Sequence, residues 1–398
     1  VLWFEPGSIF APQCDGTFVP LFPSFVEELL RAAGFLTCGT GGANETNNLN
    51  PANTTRNVST NECMKMKTGR FAIPGLVGFW VLLLSVGCWA IEPQTLFNFD
   101  AGPGTVQGVL VEAPDGNFYG TTGRGGVGGS GTIFRVTRAG VLTALVSDQA
   151  SPAAGLVVGN DGLLYGMTSA GGASGFGTVF KMTTSGVLTT IAAFNGVNGA
   201  GPQSGLVLAG DGNFYGASPQ GGTNGAGAVF RVTPGGVVTR LLSFDAASLG
   251  GAPVAGLAKG PDGNLYGVTT TGGSAGRGTI FKITTGGTLT TLHSFQGTDG
   301  FVNQERLALG ADRNLYGTSR DGGSADMGVV FRITTNGVFS TVASFTGTNG
   351  AVPRAELTLG PDGQLYGTTE LGGSSNFGTV FKVSTNGVLT RLVSFNSF

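Results

Sequence analysis

After Ala90 the chain has no cysteine and no tryptophan: Cys14, Cys38, Cys63 and Cys88 and all three tryptophans fall before that point. It has one histidine, His293, and only 11% charged residues, with a net charge of −2. Each scarcity excludes something. One histidine and no cysteine in the later region rule out zinc, copper and haem sites of the usual ligand types, and no cofactor is expected. A disulfide framework is also ruled out, and roughly 300 residues bury enough core to do without one. The lack of a basic excess argues against nucleic acid as a partner. Apolar runs after Ala90 are too short for helices.

What is abundant is glycine, 73 residues of it with no G-X-Y period, which is turn chemistry rather than collagen. All six tyrosines, Tyr119, Tyr165, Tyr215, Tyr266, Tyr316 and Tyr366, are spaced 46, 50, 51, 50 and 50 residues apart. Each has an aspartate four residues before it and a phenylalanine fifteen after it (Phe134, Phe180, Phe230, Phe281, Phe331, Phe381). A period near 50 means one supersecondary unit repeated in space.

The third copy reads as four short apolar runs: 205–209, 213–217, 228–233 and 237–244. Asp211-Gly212 between the first two signals a tight hairpin. In the third run Val229, Phe230 and Val232 leave only Arg231 polar among them, so apolar side chains leave both faces of the pleat, as in a sheet covered on both sides. Four antiparallel strands, repeated six times, predict an all-β fold, a β-propeller of six four-stranded blades. Thr95-Leu96-Phe97-Asn98-Phe99 matches a fourth-strand ending and leaves open a seventh, incomplete blade. Asp148 stands where the other copies place Phe194, Phe244, Phe295, Phe345 and Phe395, so the first copy is atypical.

The first 90 residues carry no trace of the repeat. From Met64 or Met66 a basic start (Lys65, Lys67, Arg70) leads into an apolar run over 71–89 and then the small Ala90, the order of a secretory signal. Retention of the run as a membrane anchor, or lipidation at Cys88, are the other readings. The expected organisation is therefore 1–63 a non-native upstream or disordered segment, 64–90 a signal peptide or membrane anchor, and 91–398 the propeller of six repeats. The acceptor patterns at Asn44, Asn53 and Asn57 are discounted because they precede the signal.

His293 reads either as a general base or as a structural strand residue, and the strand position favours the second. Asp115, Asp161, Asp211, Asp262, Asp312 and Asp362 sit inside hairpin turns, where aspartate bonds to its own backbone. Arg135, Lys181, Arg231, Lys282, Arg332 and Lys382 form a repeated basic position, read as a solvated strand edge rather than an anion site. Function is sought where copies differ. The fifth copy brings Glu305, Arg306, Arg313, Arg320, Asp321 and Asp326, and the sixth Arg354, Glu356 and Glu370; these nine are the candidate ligand-binding residues. No catalytic or metal residue is assigned.

The motif Leu265-Tyr266-Gly267 … Gly272-Gly273 … Gly278-Thr279-Ile280-Phe281-Lys282, repeated as Leu365-Tyr366-Gly367 … Gly378-Thr379-Val380-Phe381-Lys382, resembles the GloVer (Gloeo/Verruco) tandem repeat of exported bacterial proteins. The resemblance covers about 94–398. It implies a secreted or surface-displayed repeat protein; relatives carry varied C-terminal anchoring signals, whereas this chain ends on a repeat strand at Phe398. The tryptophan signatures of WD40, Asp-box and quinoprotein propellers are missing. The expected function is a monomeric, exported, non-enzymatic binding or surface-interaction module for a glycan or surface protein, meeting membrane only through 71–90 if that run is uncleaved. A polysaccharide lyase or glycosidase, or a structural adhesion protein, are the alternatives.

Overall fold

The computed structural model describes residues 106–147, 151–153, 155–301 and 306–396, together with the backbone of four two-residue strands near the start. Those strands pair as Trp3–Phe4 with Ser8–Ile9 and Ala11–Pro12 with Phe18–Val19. The chain divides into two units, Val1–Ala90 and Ile91–Phe398. Residues 64–105, Asp148 and Glu305 lie outside the described residues, so the signal, the 95–99 strand and the degenerate position are not seen.

In the second unit six antiparallel sheets follow one another, each with strands in chain order. In the third blade the strands are Val207–Leu208, Phe214–Ser218, Ala228–Val232 and Val238–Ser243. The expected first strand shrinks to two residues. The chain turns at Gly210-Asp211, where the Gly212 N–H donates to Ala209 O at 3.2 Å, and only then pairs. The sixth sheet has five strands, because Ala351–Pro353 and Thr358–Leu359 both pair with Leu365–Leu371.

The Tyr-Gly step is explained by register. Gly216 lies opposite Phe230. A Cβ on Gly216 would sit 2.7 Å from Cζ of the Phe230 ring, so the glycine is the floor on which the phenylalanine lies. In every blade the pairing of the third and fourth strands also slips by one residue at the phenylalanine, a β-bulge between Val229 and Phe230 in the third copy. A bulge bends its strand and increases local twist.

Neighbouring blades are joined by apolar clusters, each drawn from two consecutive copies. In the four junctions from the second blade to the sixth, the phenylalanine that ends the fourth strand meets the third-strand phenylalanine of the next blade. Ring centroids are 4.8 Å apart for Phe194–Phe230, 5.3 Å for Phe244–Phe281, 5.6 Å for Phe295–Phe331 and 5.0 Å for Phe345–Phe381, mostly edge to face. The tyrosines of the first five blades are fully buried in the same junctions.

The sixth blade breaks this rule on its far side. Phe395 is 38% exposed although its counterparts are sealed, and Tyr366 and Val380 are only half-buried. On the first blade, Leu110 is 48% exposed where Leu156, Leu206, Leu257, Leu307 and Leu357 are buried.

The topology gives the propeller two unlike ends. The Asp turns and the turns between third and fourth strands lie at one end. The glycine-rich loops between second and third strands, and the connections from one blade to the next, lie at the other.

Candidate functional site

Ten residues before each tyrosine, at the entry to the innermost strand, the six copies read Val109, Gly155, Gly205, Gly256, Arg306 and Glu356. All six line a central cavity of about 900 Å³ that draws its wall from every blade. Its position follows from the architecture, since innermost strands must converge on the axis.

In the second and third blades glycine at this position reflects crowding. A Cβ on Gly205 would fall 2.9 Å from Gly155 O, so the second and third blades approach too closely for a side chain to project there. The fifth and sixth blades do carry side chains, and these meet. Arg306 Nε donates to Glu356 Oε1 at 2.8 Å, and Nη2 reaches the same oxygen at 2.8 Å. Both nitrogens converge on Oε1; among the described residues Oε2 has no hydrogen-bond donor. Burial pushes the Glu356 carboxyl above its ordinary range, and the neighbouring Arg306 offsets this only in part.

The third blade supplies a further group, Ser204, one residue earlier in the repeat. It is 6% exposed, lines the cavity, and its Oγ is buried without a hydrogen-bond partner. A Cβ on Gly256 would lie 3.4 Å from Arg306 Cδ and 3.6 Å from Ser204 Cβ, so that glycine leaves a notch flanked by both side chains. Sequence reading passed over Ser204. The signal was present but small: where this copy has serine, the others have Gly108, Ala154, Ala255, Glu305 and Ala355.

Of the nine residues singled out by sequence, the structure brings Arg306 and Glu356 into the cavity and distributes the rest. Glu305 lies outside the described residues. Arg354 Nε pairs with Glu370 Oε2 at 2.6 Å, both half exposed. Arg320 Nε stands 3.5 Å from Asp321 Oδ1. Arg313 Nη2 donates to Pro261 O of the preceding blade at 3.3 Å. Asp326 holds its own loop, accepting the Gly322 N–H at 2.8 Å.

The repeated aspartates are turn residues, as the sequence indicates, with an added task. In the fourth copy Asp262 Oδ1 accepts the Asn264 N–H at 3.2 Å, while Oδ2 accepts the Tyr266 hydroxyl at 2.8 Å. Burial raises the Asp262 carboxyl, but the bonds from Asn264 and Tyr266 outweigh it and hold it below the usual carboxylate range. The basic position is less solvated than expected: the Nε atoms of Arg135, Arg231 and Arg332 are buried, because each arginine lies across the strand pair from a sealed tyrosine. His293 Nε2 is 2.8 Å from Asp299 Oδ2 and its ring stacks on Phe339 at 3.9 Å, a structural setting away from the cavity lining. Among the described residues no three His, Cys, Asp or Glu side chains gather to hold a metal ion, and no helix is long and apolar enough to cross a membrane.

Six antiparallel blades, each built on the four-stranded repeat, around a lined central cavity define a six-bladed β-propeller. The chain belongs to the Gloeobacter/Verrucomicrobia repeat family, whose model matches residues 90–216 and 204–398. Among solved structures it is similar to virginiamycin B lyase from Staphylococcus aureus, at 18% identity over 74% of this chain and 85% of that one, with a TM-score of 0.51. It is also similar to the extracellular domain of a protein described as a hybrid two component system from B. thetaiotaomicron, at 13% identity over 75% of this chain and 35% of that one, TM-score 0.50. At such identities the likeness is one of fold. No curated protein matches the chain.

Proposed function

We propose that this chain is an exported, non-enzymatic binding module that takes its ligand in the central cavity. The observation that carries the reading is the asymmetry of the cavity ring: Arg306 and Glu356 replace residues that elsewhere in the ring are glycine or valine. A concave space within the 300–1,000 Å³ range of ligand pockets, with a few converging polar groups, is the usual form of such a site. It also weighs against a purely structural surface protein. A glycosidase needs two carboxyl groups on one pocket; among the described lining residues Glu356 is the one carboxylate. Export rests on the basic-then-apolar order of 64–90 in the sequence.

The test is a binding screen of the purified full chain against glycan and small-molecule arrays, followed by the same hits on Arg306→Ala and Glu356→Ala. Loss of at least about tenfold in affinity is expected for each. Hits that bind both variants as tightly as the parent would place the site elsewhere. Turnover of any hit would overturn the non-enzymatic reading.

A further inference from the structure

The cavity wall mixes polar and apolar groups. Ser204, Arg306 and Glu356, from the third, fifth and sixth blades, give it hydroxyl, guanidinium and carboxylate groups. The first blade gives it Val109 and Leu110, 42% and 48% exposed, where the equivalent leucines of the other blades are sealed. A ligand that satisfies both kinds of group has apolar and polar surface of its own.

The charge of the polar groups narrows the class. Arg306 and Glu356 already neutralise one another at 2.8 Å, and opening a partly buried pair leaves an uncompensated charge. An anion drawn to Arg306 meets the Glu356 carboxylate, and a cation drawn to Glu356 meets the guanidinium. A neutral group that both accepts and donates avoids either conflict. A hydroxyl does so, with one donor and two acceptor sites, and two adjacent hydroxyls can accept from the Arg306 N–H groups while donating to the open Glu356 Oε2.

Ser204 supplies an independent reason to look for a hydroxyl-bearing molecule. Its Oγ is buried and, among the described residues, unpartnered, a costly arrangement; being sealed in its present rotamer, it meets a molecule in the cavity once the hydroxyl turns about χ1. The Gly256 notch places it beside Arg306, so one molecule can reach both. We infer that the ligand is a short neutral oligosaccharide, one ring of which sets a vicinal diol against Arg306 and Glu356, a further hydroxyl on Ser204, and its C–H face on Val109 and Leu110. This rests on the cavity being the binding site. A volume near the upper end of the ligand-pocket range has room for more than one sugar ring.

The experiment is isothermal titration of the full chain with cellotetraose, xylotetraose and mannotetraose, with tetragalacturonate and octanoate as an acidic sugar and an acidic amphiphile. At least one neutral tetrasaccharide should bind, with little dependence on salt. Ser204→Ala should weaken that binding about tenfold while its melting temperature stays equal to or above the parent's, since the change removes an unpartnered buried hydroxyl; a serine that merely packs would not divide the two readouts. Tighter, salt-sensitive binding of tetragalacturonate or octanoate, lost in Arg306→Ala, would overturn the neutral-sugar inference and leave the cavity as the binding site. Neutral-sugar binding untouched by Arg306→Ala and Glu356→Ala would overturn the cavity reading itself. Failure of every neutral tetrasaccharide to bind at millimolar concentration would overturn the inference.

Discussion

Arg306 and Glu356 are 50 residues apart in the chain and 2.8 Å apart in space. They meet because each occupies the same place in its own blade. Removing Glu356 leaves the partly exposed Arg306 guanidinium unmatched. Full burial of a broken pair costs about 3–5 kcal/mol; with solvent screening, Glu356→Ala should cost about 1–2 kcal/mol. Arg306→Ala/Glu356→Ala should be closer to the parent than the sum of the single changes. A double-mutant cycle by urea denaturation reads this directly, and additivity would mean the pair is energetically silent.

Phe345→Ala and Phe395→Ala delete the same repeat position. Phe345 is sealed against Phe381, so its loss should cost about 3–5 kcal/mol. Phe395 is 38% exposed and should cost less than about half of that. Equal losses in thermal melts would mean that the far side of the sixth blade is covered in solution.

Arg313 has φ +65° at the turn position where the other copies place glycine. A left-handed conformation costs a residue with a Cβ about 1–2 kcal/mol, partly offset by the greater unfolded-chain freedom of glycine. Arg313→Gly should therefore raise stability by about 0.5–1 kcal/mol. A lower melting temperature would show that the bond from Arg313 to Pro261 O outweighs the strain.

Burial, then the bond to the neighbouring aspartate, raises the hydroxyls of Tyr119, Tyr165 and Tyr215 to about 12. An unfolded tyrosine ionises near pH 10. These groups stabilise the fold at all pH values below about 10, and that contribution is lost as pH rises through about 12. Absorbance titration of Tyr366→Phe at 295 nm, which leaves only the five sealed tyrosines, should show no phenolate step near pH 10, and ionisation should coincide with loss of β-sheet circular dichroism. A reversible step near pH 10 in that folded variant would contradict the sealed junctions.

The repeat, the Asp turns and the covering of both sheet faces were legible in the sequence because they recur in register. What recurs less visibly was missed. A buried pair links Thr269 Oγ1 and Thr279 Oγ1 at 2.9 Å, and Thr122–Thr132, Thr168–Thr178 and Thr369–Thr379 repeat it. The third and fifth copies have Ser218 with Ala228 and Ser319 with Val329 in those places, so both members change together. Departures from the repeat did lead to Arg306 and Glu356, but they led equally to Arg313 and Asp326. A departure marks altered constraint without saying whether the side chain faces the axis or merely occupies a turn. Phe395 was illegible for another reason: its local sequence matches its counterparts, and exposure depends on what stands beside the blade.

The exposed far side of the sixth blade bears on how the molecule comes apart. Among the described residues the first and sixth blades each have an apolar junction on one side only, so these should detach before the others under heat or pulling force, and the sixth carries Glu356 with it. A molecule bound across Ser204, Arg306 and Glu356 would span the third, fifth and sixth blades. Occupancy would then act as a mechanical clasp, holding the sixth blade in place for as long as the cavity is filled.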